Sequence, residues 1–556
     1  MPARRLQDLL FLLFATMLLL PVLAVAVSWL RWDGASAQIM GEMASTVLPA
    51  YAATSLALCV VVGVGVALVG ATTAACVTLF VFPGRRTFEW ALLLPLAMPA
   101  YVVAYAYTDY LQFSGPLQTA LRAALGLEGR VLPEVRSFGG AALVFIFSLY
   151  PYVYLLARAA LGERAAHLME AARLLGAPLS RRVRQVALPL ARPAIAAGVA
   201  LALMETLADF GVSSYFGIQT FTTGVYKAWL AMDNRIAAAQ LATVLLLLVA
   251  ALLALERRAQ QRLRFAVARG ARAGSAEAQP VVLRGWRLVA AWLTCGAPLL
   301  LGFVLPVAFM LRPLVTEASL PWDRFGQWAF NSVRLGSITA AIAVVLALAM
   351  AFCVRRGPDA VTRGVVHLAG LGYAVPGAVI VVGLLLPVGW WQAAAPESRI
   401  GGWVTATVMG VVWAYLVRFV AVALQSLQSG YARIPASLDD SARMLGVAGF
   451  RLLSRVHWPL LRRSTLAAAL LVFVDVMKEL PATLVLRPFN TDTLAVVAYQ
   501  LARDERLGEA ALPSLALVLV GLVPVILLSR TLRSGPESTA PRCRPSDGRS
   551  SGRRAS

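Results

Sequence analysis

About twelve times along this chain an apolar run of roughly twenty residues ends in a charged or turn-rich break. The runs fall near 9–30, 55–81, 90–111, 138–160, 194–217, 236–255, 288–311, 332–354, 364–391, 401–427, 464–487 and 512–530. Runs of this length match the hydrocarbon thickness of a bilayer. Inside hydrocarbon every backbone N–H and C=O must be satisfied within its own segment, which leaves helices as the spanning element for such runs. The expected fold is therefore an all-α polytopic membrane protein of about twelve transmembrane helices. A mean hydropathy of +0.73 with 14% charged residues is too apolar for a soluble chain. The first run is too long for a secretory signal and shows no clear small-residue cleavage site, so it reads as a span.

The formal charge of +22 raises nucleic acid as a partner. However, the arginines sit between apolar runs and are not interleaved with aromatics, so the charge reads as membrane topology, with no nucleic-acid partner. With the N-terminus in the cytoplasm, most of the 50 Lys and Arg fall in alternate loops on that side. Both termini are then expected to be cytoplasmic. Five cysteines, Cys59, Cys76, Cys295, Cys353 and Cys543, show no ligand spacing, and four lie in apolar runs as small buried hydrophobes. His167, His367 and His457 are scattered, and neither catalysis nor a metal site is read from them.

A shift of 270 residues lays EAARLLGAPLSRRVRQVALPLARP (170–193) over DSARMLGVAGFRLLSRVHWPLLRR (440–463). Nine of the 24 positions are identical, among them Ala172/Ala442, Gly176/Gly446 and Pro189/Pro459. The chain thus reads as an internal duplication, two parallel six-helix repeats related by an axis along the membrane normal. The first half covers 1–255, with a loop at about 163–192. The second covers 288–531, with a loop at about 431–463. A polar linker at 256–287 joins them, and a Pro/Ser/Arg-rich tail at 532–556 is expected to be cytoplasmic and disordered. In each loop an acid sits early in a short helix, where the macrodipole favours it. A glycine then suits the helix stop, and small residues on one side allow close approach by another backbone. A helix lying on lipid headgroups is the competing reading; the register of acid, Gly and Pro in both copies argues against it.

E-A-A, then Gly six residues after the Glu, then L-P thirteen residues further on, resembles the EAA loop of permease subunits of binding-protein-dependent ABC importers. The resemblance implies that Glu170, Ala171, Ala172 and Gly176, and in the second half Asp440, Ser441, Ala442 and Gly446, form coupling helices docking in an ATPase. D-S-A departs from E-A-A, so the two contacts need not be equivalent. ETLADFG, YFGIQTFTTGVYKAW and KELPATLVLRPFNTDTLAVVAYQLA resemble ferric iron permeases of this superfamily; thiamine and phosphonate permeases share the fused layout. The resemblance implies a bacterial inner-membrane importer subunit working by alternating access. Its expected partners are two copies of an ATPase subunit and a periplasmic or extracellular solute-binding protein.

The chain has only two lysines, Lys227 in GVYKAW and Lys478 in VMKELP, and neither fits the Walker A pattern. No cofactor is expected on this chain, and ATP is expected on the partner. A secondary transporter driven by an ion gradient is the reading from a different class; such a carrier needs no duplicated EAA loop. An intramembrane enzyme would need a catalytic constellation that the spans lack.

Charges within a span cost about 2.5–3.5 kcal/mol on insertion scales and usually face a cavity or a partner. Glu205 and Asp209 in METLADFG align with Asp475 and Glu479 in VDVMKELP at the same offset of 270. Each pair is four residues apart and is expected to share a helical face, with Lys478 placed to neutralise Asp475. The pairs read either as a gate or cation path, or as a polar lock between helices. Tyr101 and Tyr105, with Tyr107, Pro95 and Pro99, give the third run a polar, kinked character, and these tyrosines are candidates for the path. Whether a metal binds is left open.

Overall fold

The computed structural model describes residues 2–533 apart from 31–33, 163–165, 271–280, 318–319 and 358–359. For some stretches, 2–13, 170 and 259–270 among them, it describes the backbone alone. The tail from 534 onward with Cys543, the centre of the linker and the side chain of Glu170 lie outside the described residues. The described residues are helical almost throughout. Their one sheet is the parallel pairing of Phe80–Val81 with Val281–Val282.

Nine described helices are long and apolar enough to cross a bilayer: Leu48–Leu79, Phe138–Ala160, Leu179–Ala208, Arg235–Arg258, Trp286–Thr316, Trp322–Arg356, Gly377–Ala394, Val408–Tyr431 and Leu507–Leu527. A tenth candidate, Arg85–Ala97 with Ala100–Leu125, is bent by 89°. The described residues do not confirm the expected count of about twelve, and prolines and charges break several of the expected runs. The third run breaks where Met98 is extended and Pro99 starts a new helix. The ninth run breaks in the same way, at extended Val375 followed by Pro376. A residue before proline is driven out of the helical region, so each X-Pro ends one segment and opens the next. The eleventh run forms Trp458–Lys478, which carries Arg462, Arg463, Asp475 and Lys478 and stops well short of 487. The first run lies in helix Pro2–Val27. The last helix of the first half continues to Gly270, into the stretch read as linker.

The duplication is visible in the packing. Helices Leu48–Leu79, Phe138–Ala160 and Leu188–Ala208 pack together, and so do Trp322–Arg356, Val408–Tyr431 and Trp458–Lys478, each 270 to 274 residues further on at its start. The halves also exchange their first helices: Pro2–Val27 lies on Gly377–Ala394, and Leu305–Leu311 lies on Ala100–Leu111. Glycine permits the first of these crossings, because a Cβ on Gly383 would stand 1.9 Å from the Pro21 carbonyl oxygen. Such small-residue contacts are how helices approach closely in lipid.

Candidate translocation site and coupling helices

Helix Leu188–Ala208 ends abruptly. Asp209 leaves the helical region (φ −70°, ψ 131°), and a short helix, Gly211–Tyr215, starts at once. Its counterpart Trp458–Lys478 ends at Glu479 with nearly the same backbone (φ −70°, ψ 123°), followed by Pro481–Leu486. Each acid caps the new helix. Asp209 Oδ1 accepts from the N–H of Val212 at 2.9 Å and of Ser213 at 3.3 Å. Glu479 accepts from Ala482 N–H at 2.8 Å through Oε1. Through Oε2 it accepts from Thr483 N–H at 3.0 Å and from the Thr483 hydroxyl at 2.6 Å. A side-chain oxygen at this position satisfies orphan donors of a first turn. The expectation of one continuous helix carrying both acids of a pair on one face is thereby corrected: the second acid of each pair sits at a break.

Between these two breaks lies a cavity of about 200 Å³. Glu205, Asp209, Asp475 and Glu479 all line it, as does Tyr101, so the duplicated acids converge at the contact of the halves. Tyr101 donates to the carbonyl of Lys478 at 3.3 Å. Tyr105 is not in this cavity. Its ring packs 5.6 Å from Tyr101 and 4.7 Å from Tyr215, and it lines a separate small pocket with Asp109 and Ser514. Lys478, expected to neutralise Asp475, donates to the Leu96 carbonyl at 3.0 Å. Among the described residues no three of His, Cys, Asp and Glu come together as a metal site.

Sequence reasoning missed Arg418, Ser148, Tyr152 and Tyr373, which also line the cavity. Arg418 carried a usable signal: it is a lone charge in VVWAYLVRFVAVALQ, deep in a span, where a charge by default marks a site. Its Nη2 stands 3.9 Å from Glu205 Oε2, across the two halves.

Beyond the breaks, on the side away from the loop helices, the halves touch again. Arg136 forms a two-pronged pair with Glu505 at 2.6 and 2.8 Å and donates to the Tyr215 hydroxyl at 2.9 Å. Ser214 and Tyr499 share a hydrogen bond at 2.8 Å, and Tyr226 donates to the Pro481 carbonyl at 2.7 Å. The Phe210 ring packs at a tilt against Tyr226 and Tyr499, with centroids 4.2 and 5.7 Å away.

The duplicated loops form matching helices, Ala166–Leu174 and Ala436–Met444. Gly176 has φ +77° and Gly446 φ +76°. In the first, Ala177 N–H bonds to the Ala172 carbonyl and Gly176 N–H to that of Arg173; in the second, Val447 bonds to Ala442 and Gly446 to Arg443. This paired pattern with a left-handed residue is the Schellman stop. Just before each glycine an apolar pair stands in the open: Leu174 and Leu175 are 81% and 88% exposed, Met444 and Leu445 89% and 82%. Ala171, Asp440 and Ser441 are exposed, Ala172 is half-buried and Ala442 is buried.

The two loop helices are held differently. Asp440, the counterpart of Glu170, pairs among the described residues with the nearby Arg443. The buried neighbour Asp439 takes Arg355 Nε at 2.7 Å and His457 Nε2 at 3.0 Å. His457 in turn meets the Tyr431 hydroxyl at 3.3 Å. Burial raises the Asp439 carboxyl, but the hydrogen bonds and charges of Arg355 and His457 outweigh it and hold it below the usual carboxylate value. In the first half Met169 stands at the position of Asp439, and Arg85, the counterpart of Arg355, pairs with Glu89.

A helical membrane protein of two repeated halves, with a charged cavity at their contact, is the class this fold and site define. Residues 67–265 match the family described as binding-protein-dependent transport system inner membrane component. The chain is 24% identical to the Fe(3+)-transport system permease protein FbpB 2 of Haemophilus influenzae, over 86% of this chain and 88% of that one. It is 25% identical to the probable ABC transporter permease protein y4fN of Sinorhizobium fredii, over 85% and 86%. It is 27% identical over 41% of its length to a putative 2-aminoethylphosphonate transport system permease, PhnU, of Salmonella paratyphi A, covering 76% of that relative. The chain is thus similar over part of its length to this transport-component family and along most of its length to ferric iron transport permeases, and its apolar helices mark it as a multi-pass membrane protein.

Proposed function

We propose that this chain is the transmembrane subunit of an ATP-driven importer of ferric iron, working by alternating access. The observation that carries the reading is the pair of glycine-stopped loop helices, each offering an exposed apolar pair on one face of the molecule. Two equivalent apolar knobs of this kind suit two copies of a partner with matching grooves, and an ATPase subunit is that partner. ATP is bound and hydrolysed there, and this chain holds no cofactor. A solute-binding protein delivers the solute to the opposite face, where Arg136 and Glu505 close the path. The loops and both termini face the cytoplasm, in keeping with the arginine-rich loops. The proposed organisation is a first half at 1–255, a linker at 256–287, a second half at 288–531 and a tail at 532–556.

Support for ferric iron comes from the similarity to the Fe(3+) permease along nearly the whole chain. The hard oxygen donors of Glu205, Asp475 and Tyr101 in the cavity suit that ion. Phosphonate is the second reading, favoured by Arg418 and Lys478 in the same cavity. The test is ATP-dependent uptake by the assembled complex in proteoliposomes, with ferric iron and a phosphonate offered separately. Uptake of ferric iron alone supports the first reading, and uptake of the phosphonate alone replaces it with the second. An ATP-independent flux driven by an ion gradient would overturn both.

A further inference from the structure

The four carboxylates of the cavity are not equivalent. Asp209 and Glu479 are committed to capping, each accepting backbone N–H groups of the helix that follows. That leaves Glu205 and Asp475 facing two cations, Arg418 and Lys478. Lys478 already gives a hydrogen bond to Leu96. Arg418 is different. Its contact with Glu205 is 3.9 Å, too long for a hydrogen bond, and among the described residues its buried Nε has no hydrogen-bond partner. Ser148 occupies the position equivalent to Arg418 under the 270-residue shift. It lines the same cavity, and its buried hydroxyl likewise has no partner among the described residues. The Tyr373 ring flanks the guanidinium at 5.8 Å.

A guanidinium deep in a span is expensive to insert, and a buried donor without an acceptor adds a further penalty. A lock between helices would be expected to use those donors on the protein. Here the Nε finds no acceptor among the described residues, and a serine hydroxyl from the other half lines the same cavity. Guanidinium and hydroxyl together suit a planar or tetrahedral oxyanion, which accepts several donors at once.

We propose that Arg418 and Ser148 form an oxyanion-binding subsite in the translocation cavity, taking a carboxylate or phosphate-type group that crosses with the solute. The inference rests on the permease reading. If the cargo is ferric iron, the ion crosses with an oxyanion ligand attached, its positive side toward Glu205 and Asp475; if the oxyanion is itself the solute, no metal is required.

The test is equilibrium binding to the purified full-length permease in lipid nanodiscs, with ferric citrate, citrate alone and inorganic phosphate as probes. The expected result is saturable binding of at least one probe, weakened about tenfold or more in Arg418→Gln and less in Arg418→Lys, which keeps the charge and loses the fork. Ser148→Ala should weaken it by a smaller factor. Preference for ferric citrate over citrate identifies the oxyanion as a metal ligand, and equal binding of citrate or phosphate without iron identifies it as the solute. Unchanged affinity in Arg418→Gln, or no binding of any probe by the wild-type protein, overturns the subsite. Thermal unfolding of each variant separates lost binding from lost folding. ATP-dependent uptake by the wild-type complex judges the permease reading separately, so failure of one is distinct from failure of the other.

Discussion

At the scale of single residues, the duplicated acids occupy matching places but hold their caps differently. Asp209 uses one oxygen for both N–H groups, so Asp209→Asn keeps the acceptor. Glu479 uses both oxygens, so Glu479→Gln turns an amide N–H toward a donor. Thermal unfolding in detergent should find Asp209→Asn within about 0.5 kcal/mol of wild type. Glu479→Gln should lose roughly 1–3 kcal/mol. Equal losses would show that the caps do not set the roles of these acids. Asp439 gives a pH-dependent prediction. Its folded-state value lies below the ordinary one, so its contribution is complete above the unfolded value near 3.8 and is lost as pH falls through the folded value. Asp439→Asn should lower stability by roughly 3 kcal/mol at neutral pH, because Arg355 and His457 lose a buried partner. The gap to wild type should narrow as the pH drops below about 4. A gap independent of pH across that window would remove the charge from the explanation. The acids at 205, 209, 475 and 479 were legible in the sequence because apolar surroundings make any charge conspicuous. Asp439 was not, because it stands among the polar residues of a loop and its partners come from Arg355 and His457, far along the chain.

At the scale of elements, the glycine stops were legible because only glycine adopts a left-handed backbone without strain. Open space surrounds both Gly176 and Gly446, so a larger residue there meets no clash, only the positive φ. Gly446→Val should therefore cost about 1–2 kcal/mol locally and reorient Met444 and Leu445. The permease should reach the membrane but retain less ATPase in co-purification, while Gly446→Asn, which tolerates this backbone, should behave close to wild type. Undiminished co-purification with Gly446→Val would count against docking at this turn. The helix breaks after Ala208 and Lys478 were not legible, since apolar residues continue past both. What stops the helix is the capping of the next segment, a local hydrogen-bond choice that hydropathy does not record.

At the scale of the whole molecule, the halves meet through charged and aromatic contacts away from the loop helices. The Arg136–Glu505 pair is partly exposed, and the hydrogen bonds from Arg136 hold the Glu505 carboxyl below its usual value. Glu505→Gln removes this tie while leaving the cavity and both loop helices in place. In the assembled complex it should raise basal ATP hydrolysis several-fold without the solute-binding protein. The wild-type and variant rates should converge at high salt, where the exposed pair is screened. Identical basal rates at low salt would exclude a closing role for this contact.

The sequence by itself determined the class of fold, the repeat and the family resemblance, because continuous apolar runs of about twenty residues can satisfy their backbone in hydrocarbon as helices and because a 270-residue offset aligns motifs without any knowledge of shape. It also marked four acids and one tyrosine that line the cavity. Only the tertiary structure decided which acids cap helices, that Tyr105 packs outside the cavity, that Arg418 faces Glu205 across the halves, and that the first helix of each half lies on the other. These are contacts between segments hundreds of residues apart, set by how the helices pack, and neither hydropathy nor motif spacing encodes that geometry.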